Sequence, residues 1–176
     1  MNLPNCITLA RLFSVPLIVW LMLADRTLAA LAVFLLAGLS DAVDGIIAKR
    51  FNLVTDLGRF LDPVADKLLL TSVYVTLGLK GGLPTWLVIL VVSRDLLIVG
   101  GALFSIFLGM SMRVLPSFIS KLNTLLQILL AALALAHMEY ADLYATAFDI
   151  LVGLVAATTV LSGAGYLRYW ISLQER

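Results

Sequence analysis

Five short breaks, "ADRT", "RFNLVTDLG", "KGGLP", "GMSMRVLP" and "HMEYAD", interrupt a chain that is otherwise apolar almost throughout. They are rich in Gly, Pro, Asn and Asp, the residues that end helices. Between them lie six long apolar stretches, 6–23, 28–49, 60–79, 84–107, 117–137 and 144–171. A helix crossing a bilayer needs roughly 20 predominantly apolar residues, with about 17–25 tolerated. On that ruler the chain has about six spans. The composition agrees: 62% hydrophobic and 13% charged residues, with a mean hydropathy of +1.07, is too apolar for a soluble domain and too evenly spread for a single anchor. The expectation is an all-α integral membrane protein, one helical domain over residues 1–176, without internal repeats.

Several functions are excluded at once. A net charge of +1 leaves no basic face for nucleic acid. One cysteine, Cys6, and one histidine, His137, allow neither a Cys/His metal site nor an internal disulfide. The first apolar run starts almost at Met1, lacks a basic leader and contains Arg11, so the first span is expected to be retained. An uncleaved chain of this kind fits a bacterial plasma membrane better than an organelle precursor.

Orientation follows from Lys and Arg. With a cytoplasmic N-terminus, the inner ends hold Arg11, Lys49, Arg50, Arg59, Lys67, Arg113, Lys121, Arg168 and Arg176, against Arg26 and Lys80 outside. That asymmetry satisfies the positive-inside rule. Trp20, Trp86, Tyr140 and Tyr144 then fall near the outer interface, and Tyr169 and Trp170 near the inner one. Both termini and the stretch Ser40–Lys67 face the cytoplasm.

That stretch reads "SDAVDGIIAKRFNLVTDLGRFLDPVADK" and holds five aspartates. Asp41 and Asp44 are three apart and Asp62 and Asp66 four apart, so on helices each pair shares a face. A short loop makes spans two and three antiparallel neighbours, and four carboxylates can converge at one end. Near hydrocarbon each costs on the order of 2.5–3.5 kcal/mol, and bare anions that close repel. An all-oxygen cluster suits hard divalent cations, Mg²⁺ or Mn²⁺. Two such ions form the clamp of two-metal phosphoryl transfer. Gly45, Ala48 and Gly58 leave room for a bulky ligand at the helix backbone, while Lys49 and Thr55 suit phosphate oxygens. The bland reading pairs the acids with Lys49, Arg50, Arg59 and Lys67 as a solvated rim. Intramembrane acids also mark cation carriers, but all four lie at one end.

"DAVDGIIAK", eight residues, then "GRFLDPVAD" resembles the D-x-x-D-G-x-x-A-R-x(8)-G-x(3)-D-x(3)-D signature of the CDP-alcohol phosphatidyltransferases. Every spacing agrees, and Lys49 stands where the family usually has arginine. The resemblance implies a six-helix membrane fold, usually dimeric, and a CDP-linked lipid donor, CDP-diacylglycerol. It implies Asp41, Asp44 and Asp62 as metal ligands and Asp66 as ligand and general base. It also implies CDP binding by Asn5 and Thr8, from an N-x-x-T-x-x-R motif ending at Arg11, together with Gly45, Ala48, Lys49, Thr55 and Gly58.

Two further patches bear on the acceptor. "VVSRDLLI" puts Ser93, Arg94 and Asp95 in mid-span four, where an arginine is costly unless paired. "LPSFISKLNTLLQ" lays Ser117, Ser120, Lys121, Asn123, Thr124 and Gln127 along one helical stripe. The first reads either as a structural pair of Arg94 with Asp95 or with the acid cluster, or as a cation for the acceptor's phosphate; the second reads either as glue between helices or as a polar face for the acceptor, whose site would then be Arg94, Ser120, Lys121 and Asn123. Both patches, with "LAGLSD", resemble cardiolipin synthases of the CMP-forming type. Phosphatidylglycerophosphate synthases usually carry K-x-K-T where this chain has Lys121-Leu122-Asn123-Thr124. One cation fewer suits phosphatidylglycerol, a phosphodiester, better than glycerol 3-phosphate, a dianion.

Overall fold

A computed structural model describes the backbone of residues 3–50, 56–107 and 118–174, and the side chains of 9–40, 64–101, 118–140 and 145–168. Its six helices are α1 (Leu3–Leu23), α2 (Thr27–Arg50), α3 (Asp56–Leu79), α4 (Thr85–Phe107), α5 (Phe118–His137) and α6 (Ala141–Gln174). The expected stretches are all helical, with ends shifted by at most four residues at either side. The largest shifts, at the starts of α1 and α3 and at both ends of α6, add polar residues that an apolar ruler leaves out.

The breaks end helices by identifiable chemistry. Asp25 adopts a left-handed conformation (φ 58°) after α1, and the Arg26 N–H reaches back to the Leu21 carbonyl at 2.9 Å. Gly81 does the same after α3 (φ 75°), with the Gly82 N–H donating to the Leu77 carbonyl at 2.8 Å, which closes the last turn in the Schellman manner. The Pro84 carbonyl then accepts from the Leu87 N–H at 3.0 Å as α4 begins.

Packing departs from chain order. α1 packs extensively on both α2 and α3, and among the described residues α2 and α3 do not touch each other. Over their described lengths both helices pack on α1, while the link and the side chains beside it lie outside the described residues. α5 and α6 form the other close pair; α4 joins through α6 and α3, and α5 through α2 and α3. Ile18, Met22, Phe34, Leu70, Val73, Tyr74, Leu77, Leu87, Leu130 and Leu135 fill the core. At one end, Lys80 Nζ donates to the Met22 carbonyl at 2.5 Å and pairs with Asp25. Thr27 Oγ1 donates to Glu139 at 2.6 Å across α2 and α5.

Two helical segments among the described residues, Phe118–His137 and Ala145–Arg168, are long and apolar enough to cross a membrane. The described apolar parts of α1 and α2, Leu9–Leu23 and Thr27–Ser40, are shorter. Trp20, Leu36, Leu39, Trp86, Ile89, Leu96, Phe118 and Leu161 are exposed.

Candidate active site

At the end of the bundle opposite Lys80, charged side chains from α1, α3 and α4 meet in apolar surroundings. Arg11 is almost fully buried, and its Nη1 donates to Asp66 Oδ1 at 2.6 Å. The Asp66 side chain keeps half its surface exposed. One residue on, Lys67 Nζ donates to Asp95 Oδ1 at 2.7 Å, and the same oxygen accepts from Arg94 Nη1 at 2.7 Å. Arg94 Nη2 also donates to Ser120 Oγ at 2.6 Å and Ser162 Oγ at 2.5 Å. Its guanidinium lies 5.8 Å from the Tyr166 ring centroid, within cation–π range. An arginine at mid-helix, costly alone, is thus matched by one carboxylate, two hydroxyls and an aromatic face.

Beside Asp66 opens a cavity of about 290 Å³ framed by four helices. Its lining includes Arg11 from α1, Phe34, Leu35, Gly38 and Leu39 from α2, Asp66, Lys67, Leu69 and Leu70 from α3, and Thr124 and Ile128 from α5. A second, more open groove of about 530 Å³ runs between α1 and α2, along Arg11, Ser14, Leu36, Ala37 and Ser40. Arg11 and Leu39 line both.

The site residues expected from sequence divide into three groups. Asp66 stands at the cavity. Arg94 and Ser120 are bonded to each other about one helix away, and Lys121 is exposed at the start of α5. Asn123 is fully buried in the α5–α6 seam, where its Oδ1 accepts from Thr158 Oγ1 at 2.8 Å and Thr159 Oγ1 at 3.0 Å; it does not line the cavity. Asn5, Thr8, Asp41, Asp44, Gly45, Ala48, Lys49, Gly58 and Asp62 belong to helical backbone, but their side chains lie outside the described ones. Thr55 lies outside the described residues altogether. Among the described residues no three His, Cys, Asp or Glu side chains gather as a metal site.

Sequence reasoning missed Arg11 as the partner of Asp66 and Lys67 as a second cation on Asp95, whereas the Arg94–Asp95 pair is one of the two readings that the sequence offers for that patch. A signal existed for both missed partners: a lone cation or anion inside an apolar helix requires a partner from another helix.

The bundle thus gathers its described inner charges around two carboxylates, Asp66 and Asp95, the first of them beside an apolar-walled cavity. The chain belongs to the CDP-alcohol phosphatidyltransferase family, whose family model matches residues 1–164. It is 34% identical to the CDP-diacylglycerol–glycerol-3-phosphate 3-phosphatidyltransferase of Bacillus subtilis, over 98% of this chain and 97% of that protein. It is 36% identical to the chloroplastic enzyme of that kind from Oryza sativa, over 94% of this chain and 56% of the relative. With the CMP-forming cardiolipin synthase of Rattus norvegicus it shares 32% identity, over 96% of this chain and 61% of the relative. The chain therefore spans little more than half of the rice and rat proteins. Its relatives include both phosphatidylglycerophosphate and cardiolipin synthases at similar identity.

Proposed function

We propose that the protein is a membrane-embedded transferase that moves the phosphatidyl group of CDP-diacylglycerol to phosphatidylglycerol, giving cardiolipin and CMP. The observation that carries the reading is Asp66. Its half-exposed carboxylate, held by the buried Arg11, stands at a cavity with Lys67 and Thr124, where an acceptor hydroxyl can reach it. Asp66 takes the proton of that hydroxyl as its oxygen attacks the lipid-linked phosphorus; the bond from phosphorus to the CMP oxygen breaks, and no covalent enzyme intermediate forms. Arg11 fixes the carboxylate through its Nη1.

An all-carboxylate donor set fits Mg²⁺ or Mn²⁺, and the exposure of Asp66 is compatible with a ligand role beside its bond to Arg11. Asp41, Asp44, Asp62 and Asp66 would hold two such cations, which supply charge neutralisation at the diphosphate. Asn5, Thr8, Gly45, Ala48, Lys49, Thr55 and Gly58 are proposed to bind the CDP moiety. For the acceptor, the polar set Arg94, Ser120 and Lys121 is extended to Lys67, which Asp95 ties to Arg94. The family resemblance supports a homodimer, and the Lys/Arg asymmetry supports a site at the cytoplasmic face of the membrane.

A second reading, glycerol 3-phosphate as acceptor, is favoured by the near full-length match to the Bacillus enzyme. The two separate in one assay. Purified protein receives CDP-diacylglycerol with either phosphatidylglycerol or glycerol 3-phosphate, and the lipids are identified by mass. Cardiolipin from the first arm is expected; phosphatidylglycerophosphate from the second, with no cardiolipin from the first, overturns the reading.

A further inference from the structure

The cavity beside Asp66 has a mixed lining, with Arg11, Asp66 and Lys67 as its charged members and the buried Phe34, Leu69 and Leu70 among its apolar ones. Leu35, Leu39 and Ile128 line it too, and each has more than a third of its surface exposed. The cavity is thus bordered by exposed apolar side chains of α2 and α5 as well as by the half-exposed Asp66 carboxylate. We propose that this cavity is a lateral portal for the acceptor, which is a lipid: the glycerol head sits at Asp66 and Lys67, and an acyl chain leaves between Leu35, Leu39 and Ile128. This rests on the acceptor named above and adds where its hydrocarbon goes.

Three observations select that occupant. A small water-soluble triol phosphate has nothing to set against an exposed apolar border, whereas an amphiphile matches both parts of the lining. The volume of about 290 Å³ lies at the bottom of the usual range for small-molecule sites, roughly 300–1,000 Å³. It holds a head and the first part of one chain, and leaves the remainder on the exposed apolar surface. The Lys67 ammonium has three donors, one of them given to Asp95, and suits the single charge of a phosphodiester.

Gly38 supplies the test. It lines the cavity, and a Cβ built there meets nothing within 4 Å. A larger side chain at this position enters the cavity without a clash, and glycine is among the weakest helix formers, so α2 is not weakened. Gly153, on α6 and absent from the cavity lining, is likewise open and serves as control. Gly38→Leu, Gly38→Ala and Gly153→Leu are compared as full-length purified protein at saturating CDP-diacylglycerol, with dioleoyl or dihexanoyl phosphatidylglycerol varied. Gly38→Leu is expected to raise KM for the dioleoyl acceptor roughly tenfold, the equivalent of about two methylene groups' burial. kcat and the KM for CDP-diacylglycerol stay within about twofold of wild type, the dihexanoyl acceptor is less affected, and Gly153→Leu behaves as wild type. Gly38→Ala shifts KM in the same direction by less, and carries the test should the leucine variant fail to fold. An unchanged KM in folded Gly38→Leu, or a rise confined to CDP-diacylglycerol, overturns the portal while leaving the reaction intact. If wild type converts only glycerol 3-phosphate, the functional reading fails first and the portal with it.

Discussion

Asp95→Asn removes one charge from the most constrained part of the network. The carboxylate is nearly buried and accepts at 2.7 Å from both Arg94, itself nearly buried, and Lys67. Breaking a buried ion pair by neutralising one partner costs about 3–5 kcal/mol, because the other charge is left uncompensated. The Lys67 side chain is 36% exposed, so its link adds at most about 1 kcal/mol. The amide oxygen still accepts one hydrogen bond, and Ser120 and Ser162 still hold Arg94, which argues for the low end. The expected loss is about 3 kcal/mol, or about 6–12 °C in Tm on the scaling for chains of 150–250 residues. Thermal unfolding in detergent, followed by tryptophan fluorescence, reads it. The partner experiment is Arg94→Met with Asp95→Leu: removing both charges together is expected to cost less than Asp95→Asn alone, since no buried ion is left stranded and Lys67, which also loses Asp95, is over a third exposed. A Tm for Asp95→Asn within about 1 °C of wild type, or a double variant worse than the single, would refute the claim that Asp95 is the counter-charge holding Arg94 in an apolar interior.

Asp66→Asn is expected to abolish turnover while CDP-diacylglycerol binding by titration remains measurable, because the amide cannot accept the hydroxyl proton; activity within tenfold of wild type removes Asp66 from the role of base. EDTA should stop the reaction and Mg²⁺ or Mn²⁺ restore it, and full activity in excess chelator would show that the carboxylates hold no essential cation. Gln127 is fully buried, and neither polar atom of its side-chain amide has a hydrogen-bond partner among the described residues. Gln127→Leu is therefore expected to leave stability unchanged or raise it by about 1 kcal/mol, and a loss above about 2 kcal/mol would show that the amide is satisfied. Lys49→Arg should leave or lower KM for CDP-diacylglycerol while Lys49→Ala raises it; an unchanged value in the alanine variant reduces Lys49 to a rim charge.

Helix positions were legible because each break carries its own chemistry: Asp25 and Gly81 accept left-handed conformations, and Pro84 starts a helix. Neighbour relations were not. A short link between α2 and α3 reads as contact, yet over the described residues both pack on α1 instead, since uniformly apolar helices carry little azimuthal signal to say which face meets which partner. The aspartate motif was legible at once from spacing. The polar stripe on α5 was legible as a stripe but not as a destination: Ser120 faces Arg94, while Asn123, three residues on, turns to Thr158 and Thr159. Periodicity alone does not distinguish a residue facing a substrate from one facing a neighbouring helix.

α1 and α3 are tied twice, by Arg11 to Asp66 at one end and by Lys80 to Met22 and Asp25 at the other. On α1 the anchors Arg11 and Met22 stand about 16 Å apart at 1.5 Å per residue. Two clasps that far apart remove both sliding and rolling, so the pair behaves as one beam. In hydrogen–deuterium exchange α1 and α3 should then open together as the slowest unit, while the amides of 27–40 exchange earlier.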